Sequence, residues 1–189
     1  MLEWSLDAFR SASTISEIVV AAPLGQDESV AEQGVVAVAG GEHRSESVAS
    51  ALSLCGEEFV VVHDAARPLV TPELIDAMVE ELAAEEDAAG VIAATPVTDT
   101  IKQADDGGGV ERTLDRSGLW AVQTPQAFRA EALREALADR GSLADASDDA
   151  MLVERRGGRV LIHSAPSDNM KVTTPFDLRV AELLLRERH

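Results

Sequence analysis

The sequence predicts an α/β fold in which a mostly parallel sheet is covered by helices on both faces. Short apolar runs rich in β-branched residues alternate with segments of helical spacing. Such an alternation is typical of βαβ units, whose crossover helices lie against the sheet. A chain of 189 residues with 46% hydrophobic residues is long enough for a sizeable core. We therefore expect a single three-layer α/β/α domain that spans residues 1–189.

The first half of the chain alternates regularly between helices and strands. Helical spacing predicts helices at residues 2–13 and 45–54. A third helix begins at Thr71-Pro72, where the threonine is the cap and the proline is the first helical residue. Apolar runs predict strands at residues 15–22, 34–39, 59–62 and 90–97.

The pattern changes after Val97. Residues 100–104 and 110–114 flank a glycine-rich turn, so we predict a β-hairpin there. The hairpin is too polar to be core, and we expect either a surface flap or an arm that pairs with a second copy of the chain. The remaining predicted elements are a short strand at 120–122, helices at 129–139 and 147–156, a strand at 159–163, and a last helix that begins at Thr174-Pro175.

Composition argues against several classes of partner. The formal net charge of −18 disfavours a nucleic-acid surface, which needs many Lys and Arg side chains to neutralise phosphates. The first residues lack the basic and apolar regions of a signal peptide, and no apolar stretch is long enough to span a bilayer. The single cysteine, Cys55, cannot form an internal disulfide. We expect a cytoplasmic protein that binds neither nucleic acid nor a membrane.

The end of the strand at residues 59–62 is the first candidate site. The run Phe-Val-Val-Val predicts a strand buried on both faces, and Pro68 prevents its continuation. Asp64 and Arg67 follow directly, and ligands of open parallel sheets bind at the carboxyl ends of strands. The residues alone allow two interpretations, a ligand site or an ion pair that fixes a loop.

Other polar clusters also fall in loops or at strand ends. Gly40 and Gly41 precede the helix that carries Ser47, whose hydroxyl could read a ligand or bond to its own helix backbone. Asp64 could bind a divalent cation together with a polyphosphate. His63 follows an apolar strand, which favours a structural histidine over a catalytic base. The donor types that hold a phosphomonoester are present in Arg67, Arg116, Lys171, Thr100 and Thr124.

Six motifs together resemble the 2-C-methyl-D-erythritol 4-phosphate cytidylyltransferase family in order and approximate spacing. The resemblance covers nearly the whole chain, and six ordered motifs are far more specific than one. They read Val-Ala-Gly-Gly-Glu-His-Arg-Ser-Glu-Ser-Val, Val-His-Asp-Ala-Ala-Arg-Pro, Pro-Val-Thr-Asp-Thr-Ile-Lys, Thr-Leu-Asp-Arg-Ser-Gly-Leu-Trp, Gln-Thr-Pro-Gln-Ala-Phe and Asp-Asn-Met-Lys-Val-Thr.

The resemblance implies a Rossmann-like nucleotidyltransferase that transfers CMP from CTP to methylerythritol phosphate and releases pyrophosphate, in the non-mevalonate route to isoprenoids. It implies a homodimer formed through a hairpin arm at about residues 98–122. Mg²⁺ is the implied cofactor, held at Asp64. Arg116, from the partner's arm, and Lys171 are the implied catalytic residues, which grip the acceptor phosphate. The implied binding residues are Gly40, Gly41, Ser47 and Asp64 for the nucleotide, and Arg67, Thr100, Thr124 and Ser147, where threonine is usual, for the substrate phosphate.

The N-terminal end of the sequence differs from the family pattern. Family members begin with a strand and a glycine-rich loop whose arginine and lysine hold the triphosphate, whereas this sequence starts at the following helix, near Leu2. We expect the natural polypeptide to start upstream of Met1 and turnover to need that upstream segment. Two alternatives stay open: a ribitol-5-phosphate cytidylyltransferase, and a non-catalytic subunit that binds nucleotide or forms a dimer.

Overall fold

The computed structural model describes residues 1–23, 25–31, 34–138 and 147–188. The helices are α1 (Leu2–Ser11), α2 (Asp27–Ala31), α3 (Arg44–Leu52), α4 (Pro72–Ala84), α5 (Ala130–Leu137), α6 (Asp149–Arg155) and α7 (Pro175–Glu187). The strands are β1 (Val19–Ala22), β2 (Val36–Ala39), β3 (Phe59–Val62), β4 (Ala88–Pro96), β5 (Lys102–Ala104), β6 (Val110–Thr113), β7 (Trp120–Arg129) and β8 (Arg159–Ser164). A short 3-10 turn, Arg116–Gly118, precedes β7.

The strands form a mixed α/β architecture, so the predicted fold class is confirmed. A four-stranded sheet has the order β3-β7-β4-β8, in which β4 and β8 are parallel and β7 is antiparallel to both of its neighbours. Strands β1 and β2 pair in parallel as a separate sheet. The third sheet is the antiparallel β5–β6 hairpin.

Alternate residues of the four-stranded sheet face two helical layers. On one face, Ile92 and Phe128 pack with helices α5 and α6. On the other face, Val91 and Ala127 pack against α4. This alternation follows from the two-residue period of a strand, and it confirms helices on both faces. Since Phe128 is fully buried above Gly90, a Cβ at Gly90 would lie 2.5 Å from the Phe128 ring, which explains the glycine there.

Capping side chains define the starts of two predicted helices. The Thr71 hydroxyl accepts a hydrogen bond from the backbone of Leu74, and Pro72 is the first residue of α4. Thr174 and Asp177 form a reciprocal capping box at the start of α7. Both helix starts were therefore predictable from local chemistry. Among the described residues, none of the helices has the length and apolar character needed to cross a bilayer.

The predicted hairpin is present and projects exposed residues. Its turn is held by Asp105, whose carboxylate accepts hydrogen bonds from the backbone of Gly107 and Gly109. Gly108 adopts a positive φ of 80°, a conformation that favours glycine. Val110 is 63% exposed on β6. Pairing of this arm with a second copy stays a prediction.

Strand β7 is much longer than predicted. We expected a short strand at residues 120–122, but β7 continues to Arg129. This part of the strand contains the polar residues Gln123, Thr124 and Gln126, so it lacks the apolar pattern of a buried strand. All three are nevertheless buried and hydrogen-bonded to neighbouring segments. Helix α2, of five residues, was not predicted at all.

The prediction that β3 is buried on both faces is wrong. All four residues of β3 are only half-buried. Within the described residues, β3 pairs with β7 alone, and β1 pairs with β2 alone. An apolar groove of about 610 Å³ lies between β1 and β3, beneath α1, and its presence explains the partial exposure.

Candidate active site

Asp64 is the centre of the candidate site, at the end of β3. Its side chain is 17% exposed. Lys171 Nζ donates to Asp64 Oδ2 at 2.9 Å, and Arg44 Nε donates to Asp64 Oδ1 at 3.2 Å. The backbone N–H of Arg67 donates to the Asp64 carbonyl at 2.9 Å and so closes the turn after the strand. The carboxylate is thus held between two cations from distant parts of the chain.

The charge on Asp64 follows from these contacts. Burial raises the pKa of the Asp64 carboxyl, but the hydrogen bond from Lys171 and the charge of Arg44 outweigh it. The net effect is a pKa below the ordinary value of an aspartate. Asp64 is therefore ionised at neutral pH and available to a cation or to polar ligand groups.

Arg44 joins Asp64 to a second, fully buried carboxylate. Arg44 is the first residue of α3, and its Nη1 donates to Asp149 Oδ2 at 2.6 Å. Burial lowers the pKa of Arg44, and the charges and hydrogen bonds of Asp149 and Asp64 more than offset that decrease. Burial raises the pKa of Asp149, and Arg44 opposes that increase. The guanidinium thus stays charged between two carboxylates.

Arg67 is fixed by the loop that carries Lys171. Its Nη1 donates to the backbone carbonyl of Asn169 at 2.8 Å. Asn169 is buried, and its side-chain amide donates to Gln123 Oε1 at 2.9 Å and to the Thr124 carbonyl at 2.8 Å. This network anchors the Lys171 loop against β7 and the end of β3. Burial lowers the pKa of Arg67, and the charge of Asp64 opposes that decrease.

A chain of hydrogen bonds places Thr124 and His63 beside Asp64. The Asp64 N–H donates to Thr124 Oγ1 at 3.0 Å, and that hydroxyl lies 3.1 Å from His63 Nδ1. His63 Nε2 lies 3.1 Å from the Arg67 carbonyl. A carbonyl can only accept, so Nε2 carries the proton and Nδ1 accepts from Thr124. Both ring nitrogens are occupied, as expected for a structural histidine.

Acidification should destabilise the protein through His63. Burial lowers the pKa of His63 from 6.5 to about 4. Between these values the unfolded chain binds a proton that the folded chain does not, so the free energy of unfolding falls as the pH falls through this range. The loss amounts to roughly 3 kcal/mol. Urea denaturation of the wild type and His63→Gln at several pH values measures it, and an equally steep pH dependence in the variant would contradict the assignment.

Five predicted residues converge on one cavity of about 480 Å³: Asp64, Arg67, Thr124, Ser147 and Lys171. Arg44 and Gln126 also line it. Gln126 is fully buried and donates to Asp148 Oδ2 at 3.0 Å, which fixes the segment that carries Ser147. The lining therefore contains three cationic side chains, those of Arg44, Arg67 and Lys171, and three acidic ones, those of Asp64, Asp148 and Glu154.

Gly40, Gly41 and Ser47 form a neighbouring unit at the start of α3. The Gly41 N–H donates to Ser47 Oγ at 3.1 Å, and that hydroxyl lies 3.3 Å from the His43 carbonyl. Ser47 thus bonds to its own helix backbone, one of the two alternatives left open by the residues. A Cβ at Gly40 would lie 2.9 Å from Ser47 Oγ, so the glycine is needed for this close approach. Arg44 connects the unit to Asp64.

The structure does not bring Thr100 and Arg116 to this cavity. Both are exposed, and they lie near the base of the arm, outside the cavity lining. The Arg116 guanidinium donates to the Thr98 carbonyl. The role implied for Arg116, which reaches across from a partner's arm, stays a prediction.

No role was predicted for Arg44, Asp149, Gln126 or Asn169. Arg44 and Asp149 are 105 residues apart in the chain, and no local pattern links them. Arg44, Gln126 and Asn169 lie within three of the six motifs, which was the available signal, whereas Asp149 lies outside all six.

The donor set at Asp64 fits a magnesium ion that also binds substrate phosphates. Among the described residues there is no cluster of three potential metal-ligating side chains. Asp64 provides one carboxylate, and each of its oxygens keeps a lone pair beyond the bond to Arg44 or Lys171. Mg²⁺ is commonly held by one or two carboxylates with phosphate and water oxygens, so a single carboxylate is sufficient.

Comparisons with known proteins identify the family. The sequence model of 2-C-methyl-D-erythritol 4-phosphate cytidylyltransferase matches residues 1–187. An enzyme of that name from Synechococcus sp. (strain CC9902) is 43% identical over 203 residues, covering 100% of this chain and 86% of that protein. One from Rubrobacter xylanophilus is 43% identical over 196 residues, covering 97% and 82%.

Solved structures agree with the sequence comparisons. The 2-C-methyl-D-erythritol 4-phosphate cytidylyltransferase of Thermus thermophilus superposes with a TM-score of 0.81 at 35% identity, covering 98% of this chain and 88% of that one. The 4-diphosphocytidyl-2C-methyl-D-erythritol synthase of Anaerococcus prevotii gives a TM-score of 0.87 at 27% identity, with the same coverage. The chain belongs to the 2-C-methyl-D-erythritol 4-phosphate cytidylyltransferase family.

Proposed function

We propose that this chain transfers CMP from CTP to 2-C-methyl-D-erythritol 4-phosphate and releases pyrophosphate, as a step of isoprenoid biosynthesis. The observation that carries the proposal is the cavity in which Lys171, Arg67 and Arg44 surround the ionised Asp64, within a chain of this family. Two polyanionic substrates must meet in this reaction. The three cationic side chains offset the acidic ones of the lining, so the cavity repels polyanions less than the rest of a protein whose overall charge is −18.

The chemistry consists of displacement at phosphorus. An oxygen of the acceptor phosphate forms a bond to the α-phosphorus of CTP, and the bond from that phosphorus to the bridging oxygen of the β-phosphate breaks. Pyrophosphate leaves with the electron pair. Such a reaction is accelerated by alignment and charge neutralisation and needs no covalent enzyme intermediate.

Different residues would bind the acceptor and the nucleotide. Lys171 and Arg67 would hold the acceptor phosphate, with the hydroxyls of Thr124 and Ser147 beside them. Gly40, Gly41 and Ser47 would bind the cytosine. Asp64 would contact the ribose and would hold Mg²⁺ together with phosphate oxygens. The ion, when bound, neutralises charge on the triphosphate.

A homodimer completes the proposal. Arg116 and Thr100 are exposed on the arm and away from their own chain's cavity, so a second copy could present Arg116 to it. The exposed apolar residues Val110 and Trp120, on and beside the arm, offer contact area for that pairing. We propose that the activity is cytoplasmic.

The acceptor is tested by pyrophosphate release from CTP and Mg²⁺, with 2-C-methyl-D-erythritol 4-phosphate and ribitol 5-phosphate in parallel. The assay uses the natural polypeptide expressed from its own gene with its native start. We expect release with methylerythritol phosphate and at least about 100-fold less with ribitol phosphate. Release with ribitol phosphate alone would overturn the proposed acceptor. Calorimetric binding of CTP without release from either acceptor would indicate a non-catalytic subunit instead.

A further inference from the structure

The carboxylate of Asp149 lies behind the candidate site and not in it. Its side chain is 1% exposed, and Asp149 is absent from the lining of the 480 Å³ cavity that Arg44 and Asp64 share. Asp149 is the first residue of α6, where the helix dipole favours a negative charge. The Asp149 carboxylate accepts a hydrogen bond from Arg44, which lines the cavity, and its charge also acts on Asp64.

Arg44 binds two carboxylates with two nitrogens of one planar group. Its Nη1 donates to Asp149 Oδ2 at 2.6 Å, and its Nε donates to Asp64 Oδ1 at 3.2 Å. Because the guanidinium is planar and rigid, a short bond on one edge fixes the direction of the donors on the other edge. Without Asp149, the long side chain of Arg44 would be free to turn further donors towards Asp64.

The two oxygens of Asp64 are used by different cations in the present arrangement. Arg44 takes Oδ1 and Lys171 takes Oδ2. A guanidinium that turned both of its donors to Asp64 would compete with Lys171 for the second oxygen, since bidentate pairing is the favoured geometry of an arginine with a carboxylate. The bond from Nη1 to Asp149 fixes the plane of the guanidinium, and with it the direction from which the remaining donors meet Asp64.

We propose that Asp149 is a positioning residue for CMP transfer, which holds Arg44 on one oxygen of Asp64 and leaves the other oxygen to Lys171 and the substrates. The inference rests on the proposed function, because that function places Asp64 beside the reacting nucleotide. Arg44 transmits the effect and Asp149 does not touch substrate.

Replacing Asp149 by asparagine keeps the size of the side chain and removes its charge. We expect Asp149→Asn to lower kcat for pyrophosphate release by about 10- to 100-fold, as is typical for residues that orient a reacting group through another. The KM for CTP should change by less than about threefold, because the groups that bind the cytosine are untouched. Loss of thermal stability with kcat per folded molecule unchanged would show a merely structural role and would overturn the proposal.

A double-mutant cycle tests the route through Arg44. Arg44→Lys keeps the cation but cannot bridge two carboxylates with a planar fork, so it should lower kcat to a similar extent. Adding Asp149→Asn to Arg44→Lys should then lower kcat no further. If the two effects multiply, Asp149 acts by another route and the proposal is wrong.

Arginine side-chain NMR tests the placement without turnover. In the unliganded wild type, the Arg44 Nε–H should exchange slowly with solvent because it is hydrogen-bonded to a half-buried carboxylate. In Asp149→Asn the Arg44 Nη1 hydrogens lose their charged acceptor, so their exchange rate and chemical shift should change. Unchanged Nη1 signals would overturn the placement. A wild type that shows the protected Nε–H but releases no pyrophosphate would count against the proposed function and not against the placement.

Discussion

Replacing Asp64 by asparagine is expected to lower kcat/KM for CMP transfer by about 100- to 1,000-fold, the range found when one preorganised electrostatic group is removed. The neutral amide loses its attraction for Lys171 and for any bound magnesium. It also turns an NH₂ donor towards a cation, because both oxygens of the present carboxylate accept from Arg44 and Lys171. The loss therefore comes from the charge and the orientation of the neighbouring groups together.

The fold of Asp64→Asn should survive, so the activity can be compared directly. Arg44 keeps its hydrogen bond to Asp149, and Thr124 still accepts from the backbone N–H at residue 64. A matched control is Glu58→Gln, which removes one carboxylate just before the opposite end of β3, where Glu58 is 74% exposed. Circular dichroism and pyrophosphate release measure both variants. Less than about tenfold loss of kcat/KM in folded Asp64→Asn would contradict a central role for the carboxylate.

Replacing Leu133 by alanine is expected to lower the free energy of unfolding by about 3 kcal/mol, within the roughly 2 to 5 kcal/mol seen for buried leucines. Leu133 lies on α5 and is fully buried in the core cluster that also contains Phe128 and Leu152. Truncation removes the apolar contact of α5 with the sheet and enlarges the apolar groove that Leu133 also lines.

Leu183→Ala on α7 is the matched control, since Leu183 is 57% exposed. Its effect should stay within about 0.5 kcal/mol. Urea denaturation of both variants gives the comparison, and an unchanged m-value would show that stability alone has changed. A loss of less than about 1 kcal/mol at Leu133 would mean that α5 does not anchor this face of the sheet.

Local chemistry explains which parts of the fold the sequence could predict. Strand β3 was located because an apolar β-branched run ends at a polar segment that contains a proline, and the starts of α4 and α7 followed from their threonine caps and prolines. Strand β7 was mostly missed, because polar residues such as Gln126 are typical of loops in a sequence, whereas here Gln126 is buried and donates to Asp148. Burial of polar side chains is decided by tertiary partners, which local spacing does not record.

The residues of the candidate site also differ in whether the sequence alone could predict their positions. Asp64 was predictable from its place at a strand end, whereas its neighbours depend on contacts between distant segments. Arg67 meets the carbonyl of Asn169, 102 residues further along the chain, and Arg44 meets Asp149 across 105 residues. The sequence motifs identified many of the polar residues that line the cavity. The hydrogen bonds between distant segments that position these residues are visible only in the structure.

The most direct test of the candidate site is a crystal structure of the natural polypeptide with CTP and magnesium bound. We predict the triphosphate in the 480 Å³ cavity, with its α-phosphate beside Lys171 and Asp64 and its cytosine near Gly40, Gly41 and Ser47. A triphosphate bound outside this cavity, with the Asp64–Lys171 and Asp64–Arg44 pairs undisturbed and free of ligand, would contradict that prediction.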